Sequence, residues 1–118
     1  MINQPTLLKS FTFAFEGIKH GIRENINLKI HFGIALIVFL AAWFLGVSRS
    51  DFLFLAIMVI FVIASEMINT SLEEMVDLIT TEHRQQAKIA KDVAAGMVFV
   101  VSAGAAIIGI IIFAPYVF

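Results

Sequence analysis

Cysteine is absent from the 118 residues, so neither a disulfide framework nor a thiolate metal site is available. Charge is scarce as well. Only 14% of the residues are Asp, Glu, Lys or Arg, well below the share in soluble proteins. No basic tract interleaved with aromatics occurs, which argues against nucleic acid as a partner. The phosphate loop G-x-x-x-x-G-K-[ST] is missing, so any nucleotide must be held in another way. Of two prolines, Pro115 comes too late to break a membrane-length run. No signal peptide is expected, because the first long apolar run begins only near residue 30.

What the chain has in abundance is hydrophobic surface, at 60% of its residues. Long runs rich in Phe and Ile point to an integral membrane protein of one domain, covering residues 1–118, and not to a small globular core. The net charge of −1 conceals a strong segregation of charges into a few clusters between uncharged stretches.

Residues 7–28 fit an amphipathic helix, with Phe11, Phe15, Ile18 and Ile22 on one face and Lys9, Glu16, His20, Arg23 and Asn27 opposite. Basic residues on the polar side suit a helix lying in the headgroup region. Three membrane helices are expected at 30–48, 52–79 and 87–114, each with a stretch able to span a hydrocarbon layer of roughly 30 Å. Trp43 stands near the far end of the first, where an interfacial aromatic belongs. Ser50 or Asp51 is available to cap the second. Small residues such as Gly96, Ala103, Gly104 and Gly109 on the third allow close helix contacts. The fold class is therefore all-α: an interfacial helix plus three spans.

Basic residues set the expected topology. Lys9, Lys19, Arg23 and Lys29 precede the first span, Arg84, Lys88 and Lys91 lie between the second and third, and Arg49 alone falls in the other connection. The N-terminal helix and the 80–92 segment are thus expected in the cytoplasm, with the C-terminus outside.

Against this background the segment "ASEMINTSLEEMVDLIT", 64–80, is costly. Spacings of three, four and four put Glu66, Asn69, Glu73 and Asp77 within about 80° of arc on one helix face. Glu74 points elsewhere. Glu66 lies roughly 21 Å along the helix from Phe52, below the cytoplasmic headgroups, whereas Asp77 reaches the aqueous edge. Intramembrane carboxylates need a partner, a metal or a proton. Carboxylates with an amide suit Mg²⁺, which prefers oxygen ligands and works with substrate phosphates. A nearby lysine can hold a phosphate, and a buried carboxylate can take a proton from a hydroxyl. These are the requirements of phosphoryl transfer to a membrane-embedded alcohol.

Competing readings remain open on these residues. The stripe could be a structural hydrogen-bond network, or part of a proton- or cation-coupled transporter, although the outer halves of the spans offer no ionisable stepping stones. Lys91 beside Asp92 reads in isolation as an interfacial ion pair. His20, His31 and His83 read as surface or interfacial residues, and no His–carboxylate spacing resembles a zinc or di-iron site.

The stretch "EMINTSLEEMVD", Glu66 to Asp77, resembles the signature of the small bacterial lipid kinases, which include prokaryotic diacylglycerol kinase and undecaprenol kinase. It meets E-x-[apolar]-N-[ST]-[SA]-[apolar]-E-x-x-V-D at every specified position. The downstream "AKIAKDVAAGMV" is similar to the AK-x-AKD-x-AAG segment of that family, and the likeness covers nearly the whole chain. It implies a homotrimer of three-span subunits in the bacterial cytoplasmic membrane, with sites shared between subunits at the cytoplasmic face. It further implies ATP and Mg²⁺, and a lipid alcohol as acceptor. Carried over, Glu66 is the general base, Asn69 supports it by hydrogen bonding and Glu73 holds Mg²⁺. Asp77, Lys91 and Asp92 shape the nucleotide end, and Glu16 occupies a family-like acidic position. A second metal-binding glutamate is usual where this chain has Asn25, which leaves Glu24 as the nearest substitute. "VDLITTEHRQQAKIAKDVAAG" looks closer to the undecaprenol kinase branch.

Overall fold

The computed structural model describes residues 6–118. Four helices form among them: α1 Leu7–Glu24, α2 Ile26–Leu45, α3 Arg49–Ile79 and α4 Gln85–Val117. The last three are long and apolar enough to cross a membrane. At about 1.5 Å per residue α2 just matches a hydrocarbon core of about 30 Å, whereas α3 and α4 overshoot it and carry charged ends beyond it.

The first expected helix is shorter than its hydrophobic pattern suggests. It ends at Glu24, not near residue 28, because Asn25 takes extended geometry at φ −117° and ψ 110°. Asn25 Oδ1 accepts the N–H groups of Asn27 (2.9 Å) and Leu28 (3.4 Å), so this residue closes α1 and caps α2. The first span consequently starts at Ile26, four residues early. The capping oxygen outcompeted a continuous apolar face. At this corner Leu28 is fully buried, and a Cβ on Gly21 would stand 2.7 Å from Leu28 Cδ2. Gly21, which by propensity only weakens α1, leaves room at this corner for the Leu28 side chain.

The connection from α2 to α3 is equally local. Gly46 adopts the left-handed conformation (φ 62°, ψ 44°), and Val47 N–H reaches back to the Ala42 carbonyl at 3.2 Å, a helix stop that favours glycine. Ser48, not Ser50 or Asp51, caps α3 by accepting from Asp51 N–H at 3.1 Å. Asp51 is engaged elsewhere: Tyr116 Oη donates to its Oδ2 at 2.7 Å and accepts from Ser48 N–H at 3.1 Å. The end of α4 is thereby tied to the start of α3. Just inside that tie, Ala42, Leu55 and Ile112 form a small apolar core with Val38, Val47, Ile108 and Phe113 packed around it.

The third span begins at Gln85 and continues through Pro115 to Val117. α3 and α4 pack most extensively, running antiparallel, so the far end of α3 and the near end of α4 share one level. Most large apolar side chains of the spans are exposed, including Ile37, Leu40, Trp43, Phe99 and Ile110. That is the surface expected of helices facing lipid or other apolar helices.

Candidate active site

The helical spacing of α3 does what the sequence implied. Glu66 and Asn69 are buried at 2% and 5% exposure and share one face. Asn69 Nδ2 donates to Glu73 Oε1 at 3.3 Å, one turn further on. Glu74 is exposed. Thr70 returns its hydroxyl proton to the Glu66 main-chain carbonyl at 2.9 Å.

Two residues that pattern reading passed over complete the surroundings of Glu66. Asn25 Nδ2 donates to Glu66 Oε1 at 3.1 Å and also to Thr70 Oγ1. His31, one and a half turns into α2, places Nε2 4.0 Å from Glu66 Oε2. That is too long for a hydrogen bond, yet close enough for one interposed hydroxyl to touch both. The buried carboxylate thus has one oxygen held by an amide and the other facing an imidazole. The available signal was Asn25 at the position where the family resemblance implies an acid. For His31 the sequence offered nothing beyond its place at the head of an apolar run.

Nearer the helix ends the charges pair across and along the hairpin. Lys91 Nζ donates to Asp77 Oδ1 at 2.7 Å, joining α4 to α3. Asp92 accepts from Lys88 Nζ at 2.6 Å and not from its neighbour Lys91, as a four-residue helical spacing favours. Asp77, Lys88, Lys91 and Asp92 line a polar cavity of about 460 Å³ together with His83 and Arg84 from the connecting loop. Three of the sequence-selected residues therefore meet here, beside Lys88 and an Arg84 that is itself paired with Glu82 at 2.9 Å.

Glu16 and Glu24 are not brought in. Both lie exposed on α1, and no group of three Asp, Glu or His side chains close enough to hold a metal occurs among the described residues. What does fit a hard cation is narrower. Asn69 Oδ1 is buried without a hydrogen-bond partner, and the Glu73 carboxylate stands beside its amide. One carboxylate and one carbonyl oxygen suit a Mg²⁺ that takes its other ligands from phosphates and water.

The family described as prokaryotic diacylglycerol kinase matches residues 12–113. This chain belongs to that family. Membership places it among the prokaryotic lipid kinases. It is 36% identical over 107 residues to undecaprenol kinase of Bacillus subtilis, covering 91% of this chain and 87% of the relative. To a diacylglycerol kinase of Synechocystis it is also 36% identical, over 89% of this chain and 61% of the relative. Diacylglycerol kinase of Haemophilus influenzae is 27% identical over 80% of each chain. The lipid-kinase relatives thus span both acceptor types by name, and the family match takes in α1 from residue 12 on, the Glu66 stripe and the Lys91–Asp92 segment.

Proposed function

We propose that this protein transfers the γ-phosphoryl group of ATP to the hydroxyl of a membrane lipid alcohol at the cytoplasmic face of a bacterial membrane. The observation that carries the reading is the buried Glu66 carboxylate, held at Oε1 by Asn25 and open at Oε2 toward His31. A carboxylate so placed at membrane depth is suited to accept the proton of an alcohol arriving from the leaflet.

The polar cavity at Asp77, Lys88, Lys91 and Asp92 would take the nucleotide from the cytosol, its lysines meeting phosphate charge. Glu73 and Asn69 would hold the accompanying Mg²⁺ between that cavity and Glu66. The metal, when bound, neutralises phosphate charge. The chain's own part is positioning: Asn25 orients the base, Asn69 orients Glu73, and the apolar surroundings exclude water. The cytoplasmic orientation rests on the distribution of Lys and Arg. Assembly as a homotrimer is part of the proposal and accords with the exposed apolar faces of the spans, which leave room for neighbouring subunits.

Label transfer from γ-labelled ATP in lipid–detergent micelles tests it, with diacylglycerol and undecaprenol as parallel acceptors and Glu66→Gln as the blank. Transfer to either lipid that disappears in the blank is the expected result. No transfer to either from folded protein would refute it and favour a transporter built on the same carboxylates.

A further inference from the structure

Each turnover of the proposed reaction leaves a proton on Glu66. The carboxylate takes it from the alcohol as the new O–P bond forms and the bond from the γ-phosphorus to the bridging oxygen breaks. ADP departs with that electron pair, and the proton stays behind on a side chain only 3% exposed. A second alcohol cannot react until the acid has lost it again. What surrounds the two carboxyl oxygens decides where it goes. Oε1 accepts from Asn25 Nδ2 at 3.1 Å, and an amide nitrogen has no lone pair to receive a proton. The Thr70 hydroxyl is spent on the main-chain carbonyl of Glu66 at 2.9 Å. Neither offers a way out.

Oε2 has a different neighbour. His31 Nε2 stands 4.0 Å away, and among the described residues no other basic side chain comes that close to Glu66. The separation suits two groups that share one bridging water. From the product's departure until the next alcohol binds, the hydroxyl's place between them is free for such a water. The imidazole is 18% exposed against 3% for the carboxylate, so it connects a buried acid with the outside. It lies roughly 3 Å along α2 from Lys29, a residue exposed at the charged end of that helix. Lys29 is also the cation closest to it in sequence. Among the described residues no charged group of α1 or α4 pairs with the ring, and from α3 only Glu66 does. Imidazole is the side chain that binds and releases protons near neutral pH, with one ring nitrogen able to receive while the other gives.

We infer that His31 is the proton exit of the site. Through one bridging water it takes the proton that Glu66 has removed from the alcohol, and it releases a proton from the far side of its ring to water at the membrane surface. The inference rests on the phosphoryl-transfer reading and deepens it. His31 acts through Glu66 and takes no part in making or breaking the bonds to phosphorus.

Rapid mixing separates the first turnover from those that follow. In His31→Gln the first phosphoryl group should be transferred at the parental rate, because Glu66 starts without its proton. Later turnovers wait for that proton to leave. The ratio of first-turnover rate to steady-state rate should therefore rise at least about tenfold over the parent's, the low end of what proton transfer by a placed side chain contributes. Added imidazole should raise the steady-state rate of His31→Ala severalfold and leave Glu66→Gln inactive. A ratio equal to the parent's overturns the proposal. If both rates are kept, the proton leaves by another route; if both fall together, His31 serves the fold or orients the alcohol. Failure of imidazole to restore His31→Ala counts against it equally. An arm without turnover follows the ring nitrogens of His20, His31 and His83 by ¹⁵N NMR in detergent. Glu66→Gln should shift the His31 signal and leave those of the exposed His20 and His83 in place. An unmoved His31 signal would show that ring and carboxylate are not coupled, and the relay would fall. A shifted signal in a protein whose parent transfers phosphoryl to neither lipid would sink the kinase reading while sparing the pair as a proton path.

Discussion

Asn25 precedes Glu66 by 41 residues and donates its side-chain amide to that carboxylate at 3.1 Å. The same residue ends α1 and caps α2. One asparagine thus both makes the corner that brings the N-terminal helix to the site and holds the proposed base. Breaking the contact should be felt in catalysis more than in binding. Asn25→Ala is expected to lower kcat about tenfold to a hundredfold, the worth of a hydrogen bond to a charged group. An unchanged kcat with a raised KM would show that the amide serves only the fold.

Glu66→Gln keeps the shape and the Asn25 contact but removes the proton acceptor. Turnover should fall by at least about a hundredfold, with chromatographic behaviour in detergent unaltered. Near-normal rates would remove Glu66 from the role of base.

Glu73 is the carboxylate beside the unpartnered Asn69 oxygen. Truncation to Ala should raise the Mg²⁺ concentration for half-maximal rate by about tenfold or more, a change seen even for residues one step removed from a metal. A titration curve that does not move would place the metal elsewhere.

Lys91 and Asp77 form an exposed pair, and surface pairs of this kind contribute little to stability. If Lys91 meets phosphate, Lys91→Met should raise the KM for ATP severalfold. The exchanged pair, Lys91→Asp with Asp77→Lys, should not restore it, because the cation would then sit on the wrong helix. Recovery of the parental KM in the exchanged variant would reduce the lysine to a structural partner.

Tyr116 joins the end of α4 to Asp51 and Ser48 at the other extreme of the molecule. Tyr116→Phe should cost about 0.5–1.5 kcal/mol of stability by removing a part-buried and an exposed hydrogen bond, read from denaturant unfolding in detergent. The kinetic constants for ATP should stay at the parental values. A fall in kcat without a change in stability would contradict this division between clamp and site.

Much of this was legible residue by residue. Helical spacing alone placed Glu66, Asn69 and Glu73 on one face, because an α-helix repeats its directions within about two turns. Charge-free length alone marked three spans. The boundaries were less legible. The apolar face of α1 ran on past residue 24, and only the capping geometry of Asn25 shows why the helix does not. Ser48 outcompeted Ser50 and Asp51 as a cap, since Asp51 was claimed by a tyrosine 65 residues away.

By itself, then, the sequence determined what is local: apolar lengths, a carboxylate stripe and the signature that names the family. The tertiary structure alone decided which groups face that stripe. Asn25 and His31 carry no periodic signal toward Glu66, because their meeting depends on the angle at a helix corner and on how α2 lies against α3. The same packing lets the α3 face run from carboxylates into an apolar groove between α2, α3 and α4, a continuity that no spacing within one helix encodes.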